Sequence, residues 1–136
     1  MLSVNMKKIL IVLFLCFPSI VVFAGDECIC DSPEAVLNYY FKALAEGNEK
    51  GILKIYWGIK KFHIYKPIKV ISYKILREEK LLEDQFSESL WAKKGTIQMD
   101  VEEYFDDGTR EKYFYAFRKI DGKWYLVGHG SFDQPE

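Results

Sequence analysis

Asp107-Gly108 and Asp121-Gly122 constrain this chain more than any other feature. Each dipeptide sits between runs of alternating apolar and polar residues. A two-residue hairpin of type I′ needs positive φ at both central residues, and Asp-Gly meets that need. The two corners predict a three-stranded antiparallel meander over 96–106, 109–120 and 123–131.

Tight corners also predict a register. Glu103 then faces Lys112, Val101 faces Phe114 and Met99 faces Ala116, all on one side of the sheet. The second hairpin adds Tyr125, Val127 and His129 to that side. The expected inner face is therefore Ile97, Met99, Val101, Phe114, Ala116 and Val127, ready to receive an amphipathic helix. The opposite face carries Gln98, Asp100, Glu102 and Tyr104, then Tyr113, Tyr115 and Phe117, then Trp124 and Leu126. An aromatic patch of that size usually meets a partner, so Tyr104, Tyr113, Tyr115, Phe117 and Trp124 are its candidate interface.

Upstream of the meander the periodicity changes. Asp31-Ser32-Pro33-Glu34 supplies a capping side chain, a proline in the first turn and an acid at the positive end of the dipole. Val36, Leu37, Tyr40, Phe41 and Leu44 then form one stripe of a helix reaching about Glu46, and Gly47 stops it. Asn48 caps a shorter helix with Ile52, Ile55 and Tyr56, ending near Gly58. Residues 67–76, rich in β-branched and aromatic side chains, read as a strand, and residues 77–94 as the rest of that strand followed by a loop. The expected class is α+β, with N-terminal helices packed on a curved antiparallel sheet.

The N-terminus sets the compartment. Lys7 and Lys8 precede an apolar run from Ile9 to Phe23 that ends in Val22-Phe23-Ala24, the pattern of a signal peptide cut after Ala24. That run falls short of the roughly twenty residues a membrane helix needs, so no stable span is expected after cleavage. The expected division is a signal peptide over 1–24, an arm with Cys28-Ile29-Cys30 over 25–31, and a single domain over 32–136, in a periplasmic or secreted protein. Cleavage takes two of the 19 basic residues and leaves the 20 acidic ones, a balance that argues against nucleic acid. In an oxidising compartment Cys28 and Cys30 can bridge locally or reach another chain. His63 and His129 stand far apart without supporting cysteines, so no metal site or cofactor is expected.

A helix, a short helix and an antiparallel sheet that closes in Asp121-Gly122-Lys123-Trp124-Tyr125-Leu126-Val127 resemble the nuclear transport factor two-like superfamily, the cystatin-like cone. Ser32-Pro33-Glu34-Ala35-Val36 opening the first helix and Gly47-Asn48 ending it carry the rest of the likeness, which covers most of the mature chain. It is closest to small exported bacterial members of unknown role. The resemblance implies a sheet wrapped round the long helix with a cavity at its open end. The chain departs from the pattern between residues 58 and 67, where the third helix is shortened.

For chemistry, His129 is the one candidate taken from the inner face, with Arg118 and Tyr125 beside it and Asp100 and Glu102 pointing away. Glu102-Glu103 and Asp106-Asp107 alternate sides or form the turn, which spoils a calcium reading. No nucleophile elbow or phosphate loop occurs. The expected function is therefore a non-enzymatic exported domain with no catalytic residue. It binds a small apolar or amphipathic ligand in a cavity of Tyr40, Tyr56, Met99, Phe114, Ala116, Tyr125 and His129, or pairs through the aromatic face as a homodimer or with another exported protein. The alternatives are an inhibitor or immunity-type protein and an isomerase- or dehydratase-like enzyme using His129. Tyr56, Trp57, His63 and Tyr65 would rim the cavity mouth.

Overall fold

The computed structural model describes residues 27–85 and 88–132. The leader and its expected cleavage site lie outside them. Helix α1 spans Pro33–Glu46. The Ser32 hydroxyl accepts from the Ala35 amide at 3.1 Å, and Gly47, at φ 68°, turns the amides of Gly47 and Asn48 back to the Leu44 and Ala43 carbonyls. Asn48 Oδ1 accepts from the Gly51 amide at 3.0 Å and opens α2, Glu49–Ile55. The expected stripe of Val36, Leu37, Tyr40, Phe41 and Leu44 is buried along α1.

Four antiparallel strands follow in simple order: β1 (Val70–Lys80), β2 (Ile97–Phe105), β3 (Arg110–Ile120) and β4 (Lys123–Ser131). β1 runs on to Lys80, and a loop with one 3₁₀ turn, Leu90–Ala92, leads to β2. Two helices against a four-stranded sheet make the described residues an α+β domain. Irregularities between Val70 and Ser72 and between Ile75 and Arg77 bend β1 against β2.

The first Asp-Gly corner is not the two-residue turn expected. Phe105 and Thr109 close a loop of Asp106, Asp107 and Gly108: the Phe105 amide donates to the Thr109 carbonyl at 2.9 Å, and Gly108 takes φ 90°. Asp107 Oδ1 accepts from both the amide and the hydroxyl of Thr109, which ties the loop together. The extra residue moves β3 by one place, so Glu103 faces Glu111, Val101 faces Tyr113 and Met99 faces Tyr115. A one-residue slip exchanges the two sides of a strand.

The second corner is the two-residue turn expected, with Asp121 at φ 53° and Gly122 at φ 83°. Pairing from Ile120–Lys123 to Phe117–Leu126 follows from it. Beyond, the register shifts between Ala116 and Phe117, so that Tyr115 faces His129 and Val127 is the extra residue. That bulge turns His129 inward beside Tyr115, whereas Tyr125, opposite Arg118, points outward.

The helix-facing side of the sheet is therefore Met99, Val101, Glu103, Tyr113, Tyr115, Phe117, Leu126 and His129. Met99, Val101, Tyr115, Phe117 and Leu126 lie in the core with α1 and α2. Filling these inner positions with aromatic side chains buries more apolar area than Phe114, Ala116 and Arg118 would, at roughly 25 cal/mol per Å². The expected inner placement of Phe114, Ala116, Tyr125 and Val127 is corrected accordingly. So is the outer placement of Tyr113, Tyr115, Phe117 and Leu126. Trp124 packs partly buried against the core, and Tyr104 remains outside.

The outer face is not bare either. The loop before β2 lies across it: Trp91 stacks edge-on to Phe114 at 6.0 Å and sits over Gly128, where a Cβ would come 3.1 Å from the tryptophan Cβ. Gln98 Nε2 donates to the Trp91 carbonyl at 3.0 Å, and Arg118 reaches the Lys94 carbonyl and the Thr96 hydroxyl. The chain's own loop supplies part of the cover for which the sequence suggested a partner.

At the N-terminal arm Cys28 and Cys30 are disulfide-bonded. Cys30 is buried, and its carbonyl accepts from the Trp124 amide at 3.0 Å, which ties the arm to the start of β4. No described helix is long and apolar enough to cross a membrane.

Candidate functional site

Between α1 and the inner face of the sheet lies a hollow of about 420 Å³. Its floor is the sheet, its back wall is Tyr40 and Leu44 of α1, and its lid is the extended segment Phe62–Lys66 with Ile68. Glu49 of α2 anchors that segment, because one carboxylate oxygen accepts from the Ile64 amide at 2.7 Å and lies 3.1 Å from His63 Nδ1. Ile68 is pinned by its amide to the Leu44 carbonyl.

The lining is aromatic: Tyr40, Phe62, Tyr65, Tyr113 and Tyr115, with the His129 ring. The rings pack on one another at centroid distances of 5.8 Å for Tyr40–Tyr115, 6.1 Å for Tyr40–Phe62 and 6.4 Å for Tyr115–His129. Within this lining stands one carboxyl group, Glu103, only 2% exposed. Its Oε2 accepts from the Tyr115 hydroxyl at 2.5 Å.

Among the described residues no cation lies within ion-pair distance of Glu103. Burial, and next to it the charge of Glu111 across the ladder, push the Glu103 carboxyl up to about 7, with the Tyr115 hydrogen bond opposing. Burial and the same carboxylate hold the Tyr115 hydroxyl far above its ordinary value. Burial raises Tyr40 as well, helped by Tyr56 and Glu103, and its hydroxyl makes no hydrogen bond to a described residue.

His129 stands between this hollow and a wider, open groove of about 910 Å³ that runs past Trp57, Trp91, Phe114 and Phe132. Its Nδ1 is 2.7 Å from the Tyr56 hydroxyl. The surrounding protein lowers its pKa through lost hydration. More than a third of the residue stays open to solvent, so the ring is crowded rather than sealed. Tyr56 is pushed up to about 12 by burial, against a hydrogen bond from the His129 backbone.

Of the expected cavity residues, Tyr40 and His129 line the hollow, Tyr56 braces His129 from outside it, and Met99 lies beneath in the core. Phe114 lines the open groove on the far side of the sheet, and Ala116 and Tyr125 share its outward parity. Of the candidate interface, Tyr113 and Tyr115 belong to the hollow, and Phe117, fully buried, belongs to the core. Asp100 and Glu102 stay outside as expected. Asp100 is 2.9 Å from Arg77, and Glu102 is 3.8 Å from Arg110.

Sequence reasoning counted His129 as the lone inner titratable group and missed Glu103, although Glu103 had the right parity. Its expected partner, Lys112, made it look like one half of a surface ion pair. The signal that could have found it was the odd-numbered series Val101, Glu103, Tyr113, Tyr115, Phe117, which reads as one buried face once β3 is shifted by one. Clusters of three or more metal-ligating side chains are absent among the described residues. Comparison with family models, with curated proteins and with solved structures finds no match to this chain.

Proposed function

We propose that this chain is an exported, non-enzymatic binding domain of the nuclear transport factor two-like kind, taking a small amphipathic ligand into the hollow between α1 and the sheet. One observation carries the reading. A roughly 420 Å³ space with an aromatic lining holds a buried carboxyl and a tyrosine hydroxyl without a partner among the described residues. Apolar walls with few polar groups are the usual composition of a ligand site, and a core that served packing alone would not bury Glu103 with one donor and the Tyr40 hydroxyl with no hydrogen bond to a described residue. Export to the periplasm or beyond is supported by the lysine-led apolar leader and by the closed Cys28–Cys30 bridge.

The test is fluorescence of N-phenyl-1-naphthylamine, a neutral probe that brightens in apolar surroundings. The protein should enhance it saturably, and Ile68→Trp, placed at the half-open mouth, should weaken that binding at least about tenfold. Equal enhancement by both proteins, or none by either, would remove the reading.

A second reading, an isomerase- or dehydratase-like enzyme, is favoured by the same carboxyl. Glu103 titrates close to neutrality beside Tyr115, as an acid–base group requires, and His129 stacks on that tyrosine. Deuterium exchange next to the carbonyl of small cyclic ketones, followed by NMR with the protein and with Glu103→Gln, separates the two. Exchange lost with the carboxyl would move the domain among the enzymes.

A further inference from the structure

Resting on that binding reading, we propose that the hollow selects an organic cation, an alkylammonium or quaternary ammonium head, held over the tyrosine faces with Glu103 as its counter-charge. Three observations converge. The walls present Tyr40, Phe62, Tyr113 and Tyr115, whose ring faces carry the negative end of the aromatic quadrupole. The only acid among the lining residues is Glu103, and the Tyr115 hydroxyl is its one hydrogen-bond donor among the described residues, against the four or so acceptor sites of a carboxylate. Across the ladder Glu103 faces a second carboxylate, Glu111, rather than a lysine. Like charges placed opposite each other cost stability, and a cation bound between the rings would offset that cost.

The built-in cations do not fill the role. Lys66 lies at the mouth, exposed and outside ion-pair distance of Glu103. His63 is engaged with Glu49. An anionic ligand would meet the Glu103 carboxylate, with Glu111 across the ladder from it, and a neutral one would leave that carboxylate dehydrated with the Tyr115 hydroxyl as its one donor, a costly state.

Occupancy should depend on pH through Glu103. The groups facing it are Tyr40 from α1, Tyr73 from β1, Tyr113, Tyr115 and Glu111 from β3, His129 from β4, and His63 and Lys66 at the mouth. The tyrosines stay neutral across the working range, with Tyr73 and Tyr113 pushed up to about 12 by burial first and by their carboxylate partners next. His129, lowered by burial, is uncharged at and above neutrality. Affinity for a cation therefore rises as the carboxyl ionises through about 7.

The experiment is calorimetric titration of the purified protein with choline and with 3,3-dimethylbutan-1-ol, its uncharged carbon isostere, at about pH 8 and about pH 5.5. Choline should bind at least about tenfold more tightly at the higher pH, and the preference should shrink at the lower. Glu103→Gln should abolish the preference, and Phe62→Leu, on the lid, should reduce it severalfold. N-phenyl-1-naphthylamine binding reports whether each variant keeps its hollow. If the isostere matches choline while the naphthylamine still binds, the cation preference is wrong and the binding reading stands. If the choline preference survives Glu103→Gln, the assignment of the counter-charge is wrong. If naphthylamine binding also fails in the parent protein, both fall.

Discussion

The same dipeptide closes two hairpins of this protein in two ways. Asp121-Gly122 makes the two-residue turn with φ of 53° and 83°, whereas Asp107-Gly108 is recruited with Asp106 into a three-residue loop in which Gly108 alone takes positive φ. Local chemistry permits both, because glycine accepts a left-handed conformation at either place. What separates them is the strand beyond. At the first corner the longer loop brings Tyr113, Tyr115 and Phe117 to the helix side. At the second the tight turn already sends Leu126 inward, and a bulge at Val127 later does the same for His129. Turn signals locate corners, and burial of large side chains chooses the register.

This comparison can be broken most directly at Phe117. Phe117→Ala removes a fully buried ring and should cost about 3–5 kcal/mol, whereas Phe114→Ala, on the partly covered outer face, should cost about half as much or less. Urea denaturation of both variants measures the difference, and a reversed order would restore the tight-corner register.

Glu103 gives the next largest effect. Its pKa is raised to about 7 in the folded state, so between the unfolded carboxyl value and 7 the folded chain binds more protons than the unfolded one. That contribution is present at low pH and is lost as pH rises toward 7, by roughly 2–3 kcal/mol. His129 acts oppositely: its lowered pKa costs stability as pH falls below its ordinary value. In Glu103→Gln the loss on raising pH should vanish and only the histidine limb remain, read from denaturation midpoints at several pH values.

The corners themselves give smaller effects. Gly122→Ala forces a residue with a Cβ to φ 83° and should cost about 1 kcal/mol. Smallest is deletion of Asp106, which converts the first loop to the two-residue form yet keeps Phe105 opposite Thr109. The register of β2 and β3 then persists, at a cost under about 1 kcal/mol. Amide cross-strand contacts in the NMR spectrum should still join Met99 to Tyr115.

Much of the fold was legible. The cap at Ser32, the stop at Gly47, the cap at Asn48 and the α1 stripe depend on neighbours within one or two turns, and each was read from residue type and spacing. The end of β1 and the loop with Trp91 were less so, because the charged run 77–80 pairs with β2 instead of obeying a local pattern. Part of the hollow was visible in Tyr40 and His129. Its carboxyl was not, since a glutamate among alternating residues near a lysine looks solvated until the facing strand is placed.

Sequence alone determined which segments coil, which extend and where the chain reverses, because capping, helical periodicity and glycine conformation act over a few residues. Tertiary structure decided the parity of β3 and β4, and with it the burial of Glu103 and the inward turn of His129. A one-residue slip changes almost nothing locally, yet it exchanges every side chain between water and the core.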